Sequence, residues 1–165
     1  MDAEPAESTD ELAELAELGF SGRVDSFSDA VLSPTAGGPE YRPVVVRITE
    51  VTVWDGSLPD SAHGDVYLTL PGARPASAYT DAIPAGTPIA AYANSLTSPA
   101  SGPAHFSVKS GVPAGEDLYT VVHPDGLGIQ IERDGGTYLV LPMDGAVARG
   151  KTVQALAPGE TLPAR

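Results

Sequence analysis

A chain of 165 residues is long enough to form one domain with its own hydrophobic core. Its 22 acidic and 9 basic side chains give a formal net charge of −13, which disfavours binding to nucleic acids and to anionic membrane surfaces. The lack of cysteine excludes disulfides, cysteine-ligated metal centres and a thiol nucleophile. No stretch approaches the roughly 20 apolar residues that span a bilayer, so we expect no membrane insertion.

The N-terminal region predicts a tether followed by one short helix. Residues 1–9 are mostly polar, and we predict that they are disordered. Ser8 and Glu11 have the spacing of a capping box, in which each side chain accepts a hydrogen bond from the other residue's backbone N–H. Leucines at helical spacing follow, and we predict a helix over residues 10–18 that is ended by Gly19.

A valine-rich segment over residues 41–54 predicts the longest strand, because β-branched side chains suit a pleated surface. It follows a shorter predicted strand over residues 20–27 and a loop over residues 28–40. Its apolar residues change phase near Glu50, which predicts a β-bulge there. Before this phase change, we expect Val44, Val46 and Ile48 to face the core.

The middle of the chain predicts two more strands around less regular segments. Residues 65–70 alternate between apolar and polar side chains, so Val66, Leu68 and Leu70 should face inward, with Tyr67 and Thr69 outward. A turn of helix or a plain loop follows over residues 71–80, and residues 89–94 form the next strand. Residues 95–115 are rich in Ser, Pro and Gly, which predicts a mobile loop.

The last predicted strands cover residues 118–123, 127–132 and 137–141. Asp134 and Gly135 lie between the second and third of these strands and predict a hairpin turn. Beyond residue 143 the pattern weakens. We therefore predict a mainly β domain over residues 10–143, with a weakly structured C-terminal extension over residues 144–165.

The order of these segments resembles a known fold family. A short leucine-rich helix is followed by FSGRVDSF, VVVRITEVTVWDG, GDVYLTLPG and IPAGTPIAAY, which together cover roughly residues 10–94. This succession resembles OB-fold modules of the netrin and metalloprotease-inhibitor type, and more closely resembles exported domains of GC-rich bacteria. The resemblance implies a small five-stranded OB-like barrel with a short N-terminal helix and an extra C-terminal β-hairpin. Inhibitors in that family act through an N-terminal cysteine, which this chain lacks.

Ligand binding is predicted on the outer face of the barrel, because OB barrels bind extended ligands across their second and third strands. The candidate residues are Arg47, Thr49, Trp54 and Tyr67, since exposed Trp, Tyr and Arg side chains are typical of binding hot spots. A purely structural interpretation stays open. In it, Trp54 plugs the end of the barrel, and Arg47 pairs with Asp65 or Glu50.

No catalytic residue, metal site or cofactor is predicted from the sequence. The three histidines, His63, His105 and His123, are far apart in the chain, and a zinc site would need the fold to gather all three. No Gly-x-Ser-x-Gly motif marks a serine hydrolase. Carboxylates are numerous, but a catalytic pair requires a defined separation that a sequence does not show.

Three classes of function follow from these observations. The leading hypothesis is a non-enzymatic binding or assembly module whose partner is a protein or a cell-envelope polymer. The second is an acidic inhibitor or immunity-type protein that binds a basic enzyme. The third is a carboxylate-dependent hydrolase. We expect a location outside the cytoplasm, in the envelope or secreted, with the signal segment absent from this sequence; a cytoplasmic location stays open.

Overall fold

The computed structural model describes residues 4–58, 64–70, 72, 74–98, 105–160 and 162. It contains two α-helices and ten β-strands in those residues, with short 3₁₀ turns at Pro124–Gly126 and Val153–Leu156. In chain order the elements are α1 (Thr9–Leu15), β1 (Leu18–Asp29), β2 (Val31–Pro34), β3 (Val44–Gly56), β4 (Val66–Leu70), α2 (Ala76–Ala82), β5 (Pro88–Ser95), β6 (Phe106–Ser110), β7 (Leu118–Val121), β8 (Leu127–Arg133), β9 (Gly136–Leu141) and β10 (Ala146–Arg149).

Five strands close into a barrel in the order β1, β3, β4, β7, β5 and back to β1. Four of the five contacts are antiparallel, and the contact between β4 and β7 is parallel. Strand β8 continues the sheet from β5, and β9 and β10 extend it further. The predicted mainly β fold, a small OB-like barrel with an N-terminal helix and added C-terminal strands, is confirmed.

The main core lies inside the barrel and follows the two-residue alternation of its strands. Val44, Val46 and Ile48 of β3 are buried, as the sequence predicts. Fully burying one large aliphatic or aromatic side chain stabilises a fold by roughly 1.5–3 kcal/mol. The buried side chains that the other four strands add to this core are Leu18, Phe20, Val24, Val66, Leu68, Leu70, Ile89, Ala91, Ala93 and Tyr119.

A second apolar layer covers the outside of β3 and β4. Strands β2 and β6 form a separate two-stranded ribbon, which lies within the segments predicted as a loop (28–40) and as a mobile loop (95–115). The ribbon contributes Leu32 to a cluster with Val45, Tyr67 and Leu118. The ribbon cluster covers Tyr67, and all five residues of β4 are buried, so the expectation that Tyr67 and Thr69 face solvent is wrong.

Helix α1 begins as predicted and ends earlier. The Ser8 Oγ accepts a hydrogen bond from the Glu11 N–H at 3.3 Å, while the Glu11 carboxylate accepts from the N–H of Glu7. The helix ends at Leu15, and Ala16 already has an extended backbone. The side chain of Asn94 accepts a hydrogen bond from the N–H of Glu17 at 2.7 Å, which holds this segment against β5 where β1 begins. The sequence gives no sign of this contact from a residue so distant along the chain.

Gly19 therefore has a different role from the predicted helix end. It lies within β1, where a Cβ atom would come within 2.6 Å of the Tyr92 ring. The predicted bulge in β3 is confirmed, since Glu50 has a φ of 51° and the pairing of β1 with β3 shifts between Ser21 and Arg23. The predicted hairpin turn between β8 and β9 is also present, with a positive φ at Asp134.

Both ends of the described chain pack on the barrel, which differs from the predicted tether and weakly structured extension. The N–H of Ala6 donates to the buried carboxylate of Asp125 at 2.9 Å. His123 Nε2 donates to the carbonyl of Glu4 at 2.8 Å. At the other end, β10 pairs with β9, and Leu156 is fully buried. Long-range contacts of this kind do not produce a local sequence pattern.

Tyr92 joins the C-terminal segment to the barrel, and this contact predicts an alkaline instability. Its buried hydroxyl donates to the carbonyl of Leu156 at 2.6 Å. Burial raises the pKa of Tyr92 above 10, and it raises the pKa of Tyr119 to about 12. An unfolded tyrosine ionises near pH 10, so stability should be complete below that pH and fall as the pH rises further, by about 1.4 kcal/mol per pH unit for each such tyrosine.

Replacing Tyr92→Phe should have two effects that urea unfolding at a series of pH values can separate. Loss of the hydroxyl should cost about 1 kcal/mol at neutral pH, because the Leu156 carbonyl loses its donor. Above about pH 10, the free energy of unfolding should fall less steeply in the variant, by about 1.4 kcal/mol per pH unit, because one buried tyrosine no longer ionises. Tyr138→Phe, on a partly exposed ring, is the control. An unchanged alkaline slope in Tyr92→Phe would contradict this account.

Candidate functional site

The structure places two of the four predicted ligand-binding residues side by side. Arg47 and Tyr67 are directly paired across β3 and β4. Tyr67 is buried under the β2–β6 ribbon, and burial raises its pKa. The exposed Arg47 makes two hydrogen bonds to Oδ2 of Asp65, at 2.6 and 2.9 Å, and lies 3.5 Å from Asp25. Its guanidinium is therefore engaged with acidic side chains of the protein itself.

The other two predicted residues lie elsewhere. Thr49 is paired with Arg23 of β1. Trp54 is half-buried and packs against Tyr92, with ring centroids 6.2 Å apart. The position of Arg47 matches the structural interpretation, in which it pairs with Asp65. Trp54 does not plug the barrel end, because it packs on the clusters outside the barrel core, against Tyr92. A ligand-binding role for the four residues stays a prediction.

A polar groove lies on the other side of the β3 bulge, and we call it the Arg23 groove. It consists of two adjoining depressions of about 270 and 450 Å³, which share Arg23, Pro88 and Gln130. The smaller depression extends past Glu50 to the 3₁₀ turn at Val153–Leu156. The larger one runs between the turn at residues 84–87 and strand β8.

The two bulged strands shape this groove. Gly22 of β1 packs so closely that a Cβ would lie 2.5 Å from Ile48. Opposite it, Glu50 takes a left-handed backbone conformation, which costs a residue with a side chain roughly 1–2 kcal/mol. Strained backbone of this kind is often found at functional sites.

Arg23 spans the groove from one wall to the other. Its Nε lies 3.2 Å from the Glu50 carboxylate, and its Nη1 donates to the carbonyl of Gly86 at 2.8 Å. The Arg23 side chain is still 54% exposed. On the opposite wall, Oε1 of Gln130 accepts from the Val153 N–H at 3.2 Å. The groove thus combines a guanidinium, a carboxylate and amides, which suits a polar, hydrogen-bonding ligand.

A second distinctive surface surrounds α1. Residues 4–17 contain six acidic side chains and no basic one. Among them, Leu15 is 51% exposed, one of four large apolar residues exposed in the described part of the chain. This surface combines negative charge with an accessible apolar side chain.

Neighbouring carboxylates also share a depression near β6. Glu116 and Asp117 line a hollow of about 460 Å³ together with Thr97 and Lys109. Two carboxylates at one hollow are the minimum that the hydrolase hypothesis requires, and that hypothesis stays a prediction.

The three histidines that a zinc site would need are not all within the described residues. His63 lies outside the described residues, and His105 precedes β6. His123 accepts the Asp125 N–H at Nδ1, which caps the 3₁₀ turn at Pro124–Gly126. Within the described ranges, no group of three or more potential metal-ligating side chains comes together.

No helix in that part of the chain is long and apolar enough to cross a membrane.

The sequence predicts the β3 wall of the Arg23 groove but not the wall on the opposite side. The phase change in the valine-rich strand located the bulge at Glu50. Arg23, Gln130 and the turn at residues 84–87 carried no signal, because their proximity arises only when β1, β5 and β8 meet.

No family model, curated protein or solved structure matches this chain.

Strain at Glu50 predicts an inverted order of stability for two substitutions. In an ordinary strand, Gly is less stable than Ala by roughly 0.5–1 kcal/mol. At Glu50, with its φ of 51°, we expect Glu50→Gly to be more stable than Glu50→Ala by about 1 kcal/mol. Both variants lose the Arg23 ion pair, so their difference isolates the backbone. Urea unfolding measures it.

Thr52 provides the matched control, because it is an exposed residue of the same strand without a positive φ. There Thr52→Gly should be less stable than Thr52→Ala. The same order at both positions would show that Glu50 carries no backbone strain.

Proposed function

We propose that this protein is a non-enzymatic binding or assembly module that acts outside the cytoplasm. Its ligand is a protein or a cell-envelope polymer, held in the Arg23 groove. The observation that carries the proposal is the exposed guanidinium of Arg23, placed between a strained Glu50 and the carbonyl of Gly86. The extracytoplasmic location rests on the resemblance to exported OB-fold modules.

Two features support binding at this groove in preference to the predicted face of β3 and β4. Tyr67 on that face is covered by the β2–β6 ribbon, and Arg47 is engaged by Asp65 and Asp25. Arg23 is also paired, but with one carboxylate instead of two, and its side chain is 54% exposed against 45% for Arg47. The Arg23 groove is lined by further side chains with hydrogen-bonding groups. The barrel positions these groups on strands, which hold a site more rigidly than loops do.

Arg23→Ala tests this proposal directly. We expect the variant to bind at least about tenfold more weakly, because a charge-assisted hydrogen bond to the ligand is lost. The measurement is binding of the purified protein to isolated cell-wall polymer and to immobilised envelope proteins from a GC-rich bacterium. Arg42→Ala is the matched control, since Arg42 forms a similar exposed ion pair with Glu40 at 3.0 Å. Equal binding by the two variants would refute a role for the groove.

The acidic surface around α1 favours a second candidate, an inhibitor or immunity-type protein for a basic enzyme. Six acidic side chains without a basic one would attract a positively charged partner over distance. The exposed Leu15 would supply apolar contact once the partner arrives. In this proposal the partner binds helix α1 and leaves the Arg23 groove free.

This candidate predicts salt-dependent association that requires Leu15. Against a panel of hydrolases with pI above about 9, the association rate should fall as salt rises, because screening weakens electrostatic steering. Leu15→Ser should speed dissociation by about tenfold or more. Val147→Ser, at an equally exposed apolar residue of β10, should have no effect. Surface plasmon resonance gives both rates, and binding indifferent to salt and to Leu15 would exclude the candidate.

A further inference from the structure

Strand β8 has one edge that is only partly used. On one side, β9 pairs with it from Ile129 to Arg133. On the other side, β5 pairs with it only from Leu127 to Ile129. Among the described residues, no other strand pairs with residues 130–133 on that second side. The main-chain groups of successive residues point to opposite sides of a strand, and the pair Arg133–Gly136 beside the hairpin turn directs those of residues 129, 131 and 133 towards β9. On the open side, the Gln130 N–H faces the carbonyl of Pro88, so the groups left at the edge are the C=O of Gln130 and the N–H and C=O of Glu132.

The open edge exists because the chain before β5 turns away from β8. The N–H of Gly86 donates to the carbonyl of Val24 at 2.7 Å, and the Val24 N–H donates to the carbonyl of Thr87 at 2.9 Å. The turn at residues 84–87 is thus bonded to β1 and not to β8. Pro88, at the start of β5, has no N–H with which to continue the ladder. The larger depression of the Arg23 groove lies in the resulting gap.

We propose that this edge binds an extended peptide segment of a partner protein by strand addition. The segment would lie in the larger depression, with its main chain bonded to Gln130 and Glu132 of β8 and facing the turn at residues 84–87. The inference rests on the proposed function and names the ligand class of its groove. It selects a polypeptide over a polysaccharide.

The geometry of the gap supports a peptide as the occupant. A strand edge presents N–H and C=O groups along one line, and another main chain complements this pattern along its whole length. Four residues of strand cover roughly 13 Å. The volume of about 450 Å³ suits a short extended segment between two walls. An open edge that nothing covers is also the place where soluble sheets would otherwise aggregate.

The walls of the gap provide side-chain selectivity. Residues on an added strand point alternately to its two faces. Arg23 lies in the same gap and would meet an acidic side chain or a main-chain carbonyl of the segment. Ile131 provides apolar surface next to the amide of Gln130. The bound segment is therefore expected to place an acidic residue within an otherwise β-prone sequence.

The test combines hydrogen exchange with selection from a random peptide library. In the free protein, the Glu132 amide, which faces the open side of β8, should exchange as an unprotected group. A phage-displayed library of random twelve-residue peptides is then selected against the wild-type protein. Ala85→Trp blocks the depression at an exposed position of the turn, and Ala36→Trp adds the same bulk at an exposed position outside it. Equal melting temperatures would establish that both variants fold.

We expect enriched peptides that bind the wild type and Ala36→Trp but bind Ala85→Trp at least tenfold more weakly. Binding should slow the exchange of the Glu132 amide. N-methylation of the peptide nitrogens that face β8 should abolish binding, since strand pairing needs their N–H groups. A library that yields no peptide sensitive to Ala85→Trp overturns the inference, and so do edge amides already protected in the free protein. Binding of a cell-wall polysaccharide that Arg23→Ala removes would then preserve the proposed function while this inference fails.

Discussion

Closure of the barrel through β1 is the constraint on which the rest of the structure depends. This twelve-residue strand pairs with β3 along one edge and with β5 along the other. A sheet closes only if its strands bend and tilt, and bulges are the usual means of bending them. The pairing of β1 with β3 accordingly shifts at three places, between Gly19 and Phe20, Ser21 and Arg23, and Val24 and Ser26.

The bend that closes the barrel also creates the Arg23 groove. Because Gly22 packs against Ile48, β1 and β3 can approach closely at the bulge, and the side chains of Arg23 and Glu50 meet outside the barrel. The turn before β5 then bonds to β1, so in the described part of the chain no strand pairs with β8 beyond Ile129 on the side away from β9. The same pairing choices that bury the core therefore expose a guanidinium and a strand edge next to each other.

Alternation of apolar residues was enough to predict the barrel strands, and it failed where a second layer covers the first. Val44, Val46 and Ile48 face the core as predicted, because successive side chains along a strand point to opposite faces. Alternation predicts Tyr67 and Thr69 in solvent, yet both are buried, and Tyr67 packs under the short ribbon of β2 and β6. Strands of four or five residues with few apolar side chains do not produce a clear period, so the sequence predicts loops where the ribbon lies.

The candidate site was harder to predict because it depends on contacts between distant segments. The sequence predicts a bulge at Glu50 but not a groove. The groove forms only when Arg23, 27 positions earlier, and Gln130, 80 positions later, lie beside Glu50 in the fold. Glutamate at this left-handed position is less favourable than glycine for backbone reasons. Glu50 pairs with Arg23, which spans the groove in the described part of the chain, and an exposed ion pair contributes at most about 1 kcal/mol. The pair therefore does not fully offset the backbone strain of roughly 1–2 kcal/mol, which supports the function proposed for the groove.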